Sequence, residues 1–398
     1  MRWARPIVAF GLLAYLASFF FLAPTPQKTL FYLLIAAPSI ILLSDLRQLL
    51  LQKRYRTPTL FVLCFIAYFA LSSLWSSEGT LGNGLKLAFC ILCLLVAVHS
   101  TMNMCGESGT WIRYFILAVG SCATCLYAFL FIEKMFLATE YAIEASRRYS
   151  LSILSGWGDS NPINTAMYFG LLPLTAWWSF PQSRPQIKIG LLILTTISVA
   201  IMFLSQSRGP ILSLAVTLLL ISIFRWSKDD LILWGVLLSS GLMAILIFNL
   251  APLIVDRAYS PNYRTEIWMN AIQLIKDNLF FGQGLGDSAG IPLPTDTQNR
   301  VTVTHSHSSI LDTFRVGGLV GGVLFLAMLL SITCRPLAKN EERPFFVFWL
   351  IFGLLCLSTN GRALLIRPSI EWFAFWLPLF FVLFSPAETG AKKGAQYC

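Results

Sequence analysis

The chain has 398 residues, of which 56% are hydrophobic and only 12% charged, with a formal charge of +10 from 29 Lys and Arg against 19 Asp and Glu. Soluble domains carry about 25% charged residues, and a mean hydropathy of +0.70 leaves too little polar surface to cover a water-soluble core. The composition excludes a soluble enzyme, a disordered chain, a secreted disulfide scaffold and a nucleic-acid binder, and predicts an all-α integral membrane protein.

A helical span needs about 20 apolar residues. Hydropathy predicts about twelve spans, at 7–24, 29–45, 58–76, 84–100, 112–132, 162–180, 188–205, 210–225, 231–250, 309–333, 345–360 and 371–385. The outer loops are too short for separate domains, so residues 1–398 read as one polytopic unit. The first span follows Arg2 and Arg5, and no small-residue cleavage site follows Phe21-Leu22-Ala23-Pro24, which predicts a retained anchor. With the N-terminus inside, most basic residues fall on cytoplasmic segments, from Arg47, Arg54 and Arg56 through Arg225 and Arg335 to Lys392 and Lys393. That distribution obeys the positive-inside rule and predicts both termini in the cytoplasm. The cationic balance is therefore first a topology signal rather than a nucleic-acid footprint.

Two outer loops are long, 133–161 and 251–308, the second lying just before the tenth span. Long loops are usually functional or disordered, and the second has internal order. From Arg264 to Phe280, Ile267, Trp268, Ala271, Ile275 and Leu279 share one helical face, while Glu266, Asn270, Gln273 and Asp277 share the other. This predicts an amphipathic helix along the outer interface. Gly282-Gln283-Gly284-Leu285-Gly286 follows it. Without a preceding strand and a following helix these glycines are not a phosphate-binding fingerprint, and they read as a flexible turn.

None of the nine cysteines falls in an outer loop, which argues against a disulfide framework. Cys90-x-x-Cys93 and Cys122-x-x-Cys125 have metal-like spacing, yet they lie mid-bilayer without His or carboxylate neighbours and read as packing. No metal or cofactor is predicted.

Of the three histidines, His99 ends the fourth span on the cytoplasmic side. His305 and His307 stand together in Thr304-His305-Ser306-His307-Ser308, where the large loop re-enters the membrane. Histidine is the side chain whose ordinary pKa, about 6.5, suits proton transfer near neutrality. A polar cap on the tenth helix, with Ser306 or Ser308 as N-cap, is the plainer reading of the same residues. Arginines on the outer side add weight to the chemical one. Arg208 occupies a tight turn between two spans, Arg264 begins the amphipathic helix with Arg257 before it, Arg147 and Arg148 lie in the other long loop, and Arg362 and Arg367 lie in the last outer connection. Arginine stays charged at an interface and matches phosphate oxygens with a planar fork of donors. An outer-face reaction must carry its energy in the substrate, which a polyprenyl-diphosphate-linked sugar does. Its leaving group needs charge neutralisation more than protonation, and the acceptor hydroxyl needs a base, for which His307 is the candidate. Converging beside a histidine, the outer-side arginines read as a pocket for an anionic lipid head group. His305, Arg147, Arg148, Arg257 and Arg362 are further substrate-binding candidates.

In the tenth span, Gly317, Gly318, Gly321 and Gly322 remove side chains so that another helix or a prenyl tail can approach closely, the helix being the favoured neighbour. Asp312 and Arg315, three residues apart, read as a structural pair.

His307-Ser308 followed by nine residues and Gly318-Leu319-Val320-Gly321 resembles the His-(Asn/Ser/Gln)-x9-Gly-x-x-Gly signature of bacterial O-antigen ligases. Ser207-Arg208-Gly209 and Arg264-x-x-x-Trp268-x-x-Ala271 resemble segments of the same ligase and polymerase superfamily. The resemblance is strongest over about 150–325 and topological elsewhere. It implies a metal-independent glycosyltransferase of the bacterial inner membrane that moves O-antigen from undecaprenyl diphosphate to the lipid A-core on the periplasmic face. It also implies His307 as the base, with Arg208 and Arg264 on the diphosphate. The family has one histidine where this chain has two, so His305 is assigned a supporting or acceptor-binding place. An O-antigen polymerase or protein O-oligosaccharyltransferase of the superfamily is the alternative, and a polytopic transporter is the alternative of a different class.

Overall fold

A computed structural model describes residues 3–77, 79–106, 109–137, 161–247, 251–252, 264–286, 290–292, 302–337 and 342–386, without the side chains of 132–137. Every apolar segment read from hydropathy is helical. The helices are α1 (Ala4–Phe21), α2 (Pro24–Leu42, with a π-helical turn at Phe31–Ala36), α3 (Ser44–Leu51), α4 (Lys53–Ser72), α5 (Leu81–Cys105), α6 (Thr110–Leu137) and α7 (Pro162–Ser179). They continue with α8 (Pro185–Leu204), α9 (Arg208–Arg225), α10 (Lys228–Ile247), α11 (Arg264–Asp277), α12 (Ser309–Thr333), α13 (Arg343–Thr359) and α14 (Trp372–Phe384). Among the described residues, eight helices are long and apolar enough to cross a membrane, or nine if α2 and α3, bent by 61°, form one span. The protein is therefore an all-α, multi-pass membrane protein.

Local chemistry sets the helix starts. Prolines occupy the first turns of α2, α7, α8 and α13, where the missing N–H costs no hydrogen bond. Side chains cap α7 again and two others: Asn161 accepts from Ile163 N at 2.9 Å, Thr80 from Asn83 N at 3.3 Å, and Ser308 from Leu311 N at 3.4 Å. The two shortest apolar helices are not peripheral. Every residue of α14 is buried, and its Trp372, Phe373 and Trp376 pack with Phe31, Phe19, Trp349 and Phe65 in an aromatic core. Cys90 and Cys93 are buried in α5, whereas Cys122 and Cys125 face outward from α6.

One helix is broken, and the break positions everything at that end. Within α12, Gly318 has φ 60° and ψ −159°. An unbroken helix would bond the N–H groups of Leu319 and Val320 to the carbonyls of Arg315 and Val316. Instead those N–H groups donate to the carbonyls of Leu279 and Phe280 (2.8 and 3.2 Å), while the carbonyls of Arg315 and Val316 accept from Gln283 and Gly284 (2.8 and 3.0 Å). Two lost helical bonds become four bonds to the glycine turn. Tyr68 of α4 donates to the remaining Gly317 carbonyl at 2.7 Å. The approach works in both directions only because glycine stands on each side. A Cβ on Gly282 would lie 2.4 Å from the Val316 carbonyl oxygen, and one on Gly318 would lie 2.4 Å from that of Phe280.

The glycine turn is thus fastened backbone to backbone, and its expected flexibility is corrected: glycine there serves close approach. The expected helix packing holds for Gly317 and Gly321, which abut Phe69 of α4. The amphipathic helix predicted from Arg264 to Phe280 forms as α11 but ends at Asp277. Its Ile267 and Ala271 bury against Ile291 in a small second core, beside a two-stranded antiparallel pairing of β1 (Ile291–Pro292) with β2 (Thr302–Val303). Leu279, assigned to its apolar face, lies beyond the helix end and is exposed.

Replacing Gly282 by alanine is expected to cost about 1–3 kcal/mol from its positive φ alone, with the clash added. In detergent, its thermal melting point should fall well below that of Gly82→Ala, whose Cβ meets nothing within 4 Å.

Candidate functional site

Residues 304–308 form a strap between β2 and α12. His307 sits in the left-handed region at φ 56°, uncommon for a residue with a Cβ. Its neighbours hold it there. The Asp312 carboxylate accepts from Ser306 N at 3.2 and 3.3 Å, and Trp268 Nε1 of α11 donates to the Ser306 carbonyl at 3.0 Å. Ser306 Oγ donates to the Ser308 carbonyl and accepts from Ser308 N. The His307 N–H donates to His305 Nδ1 at 3.2 Å, which sets the two rings edge to face with centroids 4.1 Å apart.

Asp312 and Arg315 form the expected pair, Nε to Oδ1 at 2.9 Å, with side chains only 1% and 4% exposed. Desolvating two charges is expensive unless further hydrogen bonds accompany the pair, and here they do. Arg315 also donates to Gln283 Oε1 at 3.3 Å and to the Thr304 carbonyl at 3.4 Å. One guanidinium therefore joins the glycine turn, the strap and the first turn of α12.

The strap forms one wall of a cavity of about 590 Å³. Gln27 and Lys28 enter it from the start of α2, Asn83 from the start of α5, and Asn161, Asn164 and Tyr168 from the start of α7. His305, His307, Asp312 and Arg315 face them, and the 360–371 loop contributes Asn360, Arg362, Arg367 and Glu371. This loop is itself held in shape. Trp376 and Trp372 donate to the carbonyls of Leu364 and Ile366, and buried Glu371 accepts from Arg362 N at 3.2 Å and Ser369 Oγ at 2.6 Å.

Of the residues singled out from sequence, His305, His307 and Arg362 line the cavity. Arg264 is half-buried at the start of α11, and its charge acts on His307. Arg208 is exposed at the start of α9 and is not a cavity wall. The next residue, Gly209, packs against Thr359, the neighbour of Asn360 in that wall. Arg147, Arg148 and Arg257 lie outside the described residues. Sequence reasoning missed Gln27, Lys28, Asn83, Asn161, Asn164, Tyr168 and Glu371, since each stands alone at the end of an apolar segment. Their shared signal is position: all fall at helix ends on the side opposite the basic clusters.

Burial is the largest effect on the two histidines, and both pKa values fall. His305 is lowered to about 4, with His307, Arg362 and Arg315 adding to the effect. His307 is lowered by burial, Arg264 and Arg362, against an opposing pull from Asp312. Burial also lowers Arg264. A histidine below its usual value is neutral at pH 7 and can accept a proton. Among the described residues, no group of three His, Cys, Asp or Glu is arranged to hold a metal ion.

Residues 191–326 match the family model described as O-Antigen ligase, a stretch that contains Arg208, Arg264, both strap histidines, the Asp312–Arg315 pair and the break at Gly318. The chain is also 27% identical over 397 residues to the O-antigen ligase of Pseudomonas aeruginosa, covering 95% of this chain and 89% of that protein. The chain is thus similar to O-antigen ligases. That likeness favours a membrane glycosyltransferase of the ligase and polymerase kind over a transporter. The 360–371 loop and its Arg362 lie outside the matched stretch, so the cavity is completed by parts of the chain that the family model does not reach.

Two outcomes follow from this geometry. Asp312→Ala leaves Arg315 buried without its carboxylate and the strap without its anchor. It should destabilise the protein by about 3–5 kcal/mol, read as a lower melting temperature, with Asp312→Asn milder because it still accepts from Ser306. If His307 must be neutral to work, a lowered pKa keeps it neutral as pH falls through the ordinary histidine range. The acid limb of the rate profile should then lie below pH 6.5, and a limb at or above that value would contradict the burial argument.

Proposed function

We propose that this cavity transfers an O-antigen glycan from undecaprenyl diphosphate to a sugar hydroxyl of the lipid A-core, at the periplasmic face of the bacterial inner membrane, with both termini in the cytoplasm. The observation that carries the proposal is a half-buried His307, its pKa lowered by burial, held in a left-handed turn on the wall of a cavity whose charged members include Arg315 and Arg362.

His307 accepts the proton of the acceptor hydroxyl as its oxygen attacks the anomeric carbon. The bond from that carbon to the diphosphate oxygen breaks, the electron pair leaves with the diphosphate, and the anomeric centre inverts. Diphosphate is a stable anion, so departure calls for positive charge close by. Arg264, whose charge already reaches His307, and Arg208, beside the Thr359–Asn360 rim, supply it without a metal. Arg362 supports them from the cavity wall. His305 accepts the His307 N–H and keeps the base in its turn. The low dielectric around a half-buried site strengthens each of these interactions over their worth in water.

His307→Ala is expected to abolish attachment of O-antigen, a loss of at least about 10²-fold, while the protein level in the membrane stays constant. Arg208→Ala and Arg264→Ala should each lower the rate and weaken donor use. The measurement is a lipopolysaccharide gel together with quantification of lipid-linked polymer. Long lipid-linked polymer that accumulates unattached in the His307→Ala strain supports ligation. A single attached repeat would point to a polymerase and overturn the acceptor assignment.

A further inference from the structure

At the edge of the cavity stands a second group of cations that the proposed reaction does not use, two of which line it. Lys28 stands at the start of α2, one helical turn before Tyr32, and lines the cavity. Lys86 of α5 places its ammonium 6.0 Å from the centre of the Tyr32 ring. Arg367, from the 360–371 loop, lines the cavity and lies within electrostatic reach of the same tyrosine. Lys86 and Arg367 thus converge on Tyr32, and Arg367 shares the cavity wall with Lys28. Among the described residues, no carboxylate forms an ion pair with any of them. They lie at the end of the bundle where the positive-inside rule gives no reason for cations.

The surface beside them is apolar and open. On α5, Gly82, Leu85, Lys86 and Phe89 form one exposed face at helical spacing, and Leu33 of α2 is exposed next to Tyr32. Leu33 is 65% exposed and Leu85 53%. A cationic edge above an apolar helix face matches a lipid whose head group carries phosphate and whose chains run down the protein. Because Lys28 and Arg367 also line the cavity, such a head group enters the space where His305 and His307 stand.

We propose that Lys28, Lys86 and Arg367 form a binding subsite for the phosphate groups of the acceptor glycolipid, separate from the residues that hold the donor diphosphate. This rests on the ligase reading given above. The donor diphosphate is bonded to the reacting carbon and must lie beside His307, on the wall formed by the strap and α12. Phosphates gathered at the α2 and α5 wall belong to a molecule whose phosphates are remote from its reacting hydroxyl. The two lipid substrates also need different openings into the bundle, since each keeps its tail in the bilayer.

The test uses the full chain in phosphatidylcholine vesicles, with a polyprenyl-diphosphate-linked glycan as donor and a phosphorylated glycolipid acceptor or its phosphatase-treated form. For the Lys28→Ala, Lys86→Ala, Arg367→Ala triple variant, the acceptor KM should rise at least about tenfold, equivalent to 1.4 kcal/mol, with donor KM and maximal rate within about twofold of wild type. Dephosphorylating the acceptor should raise the wild-type KM by a similar factor and leave the variant unmoved. The charge-keeping variant Lys28→Arg, Lys86→Arg, Arg367→Lys should behave as wild type, which separates lost charge from misfolding.

An unchanged acceptor KM overturns the proposal, and so does a rise in donor KM instead. A wild-type rate that follows added phosphatidylglycerol, with the dependence lost in the triple variant, assigns the cations to a bulk phospholipid and overturns the acceptor reading. If wild type transfers glycan to no glycolipid, the ligase reading fails by itself. The subsite is then decided by flotation of the purified protein with vesicles containing the phosphorylated glycolipid, where equal retention of wild type and the triple variant rejects it.

Discussion

A helix cannot be interrupted near a membrane unless the backbone groups it releases find other partners. In this protein that constraint is met at one place, where α12 breaks at Gly318 and takes four backbone hydrogen bonds from residues 279–284. Each bond is worth only about 0.5–1.5 kcal/mol net, but leaving the groups unpaired would cost more. The break therefore exists only with the glycine turn in place, and the turn is fixed only by the break. The histidine strap hangs from this junction. Gln283 comes from the turn, Asp312 and Arg315 from the short helical piece before the break, and the histidine strap from the residues tied to that pair.

The remainder of the bundle follows a simpler rule. Apolar side chains fill the middle, with α7, α13 and α14 at the centre, and polar side chains without a topological role collect at one end. The cavity there is assembled from the first turns of α2, α5 and α7, the first turns of α12, and the 360–371 loop. None of these segments is itself a site. Packing of the apolar parts brings their ends together, so the same burial that builds the core sets the width of the cavity. Buried Glu371 illustrates the link, since it shapes the loop that carries Arg362 by accepting from the loop's own backbone.

The electrostatics of the site follow from partial burial. Both strap histidines lose solvation and face guanidinium groups, so both pKa values move down, and the opposing Asp312 carboxylate is already committed to Arg315 and Ser306. A carboxylate left free beside His307 would have raised its pKa more strongly and made it cationic closer to neutrality. The buried pair thus acts as an anchor and also limits the negative charge available to the base.

The sequence alone determined the class of the protein, because hydropathy and the distribution of basic residues depend only on composition along the chain. It also determined the helical segments, the amphipathic α11 and the Asp312–Arg315 pair, whose members are neighbours on one helix, and it singled out the two histidines that line the cavity. It misjudged the glycine turn, because glycine signals equally a loose loop and a close approach, and only the facing backbone at Gly318 distinguishes them. It could not separate Arg362, which lines the cavity, from Arg208, which stands outside its wall, because that difference depends on how α9, α13 and the last loop pack. Nor could it find Lys28, Asn83 or Asn161, single polar residues at the ends of different helices. Their convergence on one cavity is a property of contacts between elements far apart in the chain, which only the tertiary structure decides.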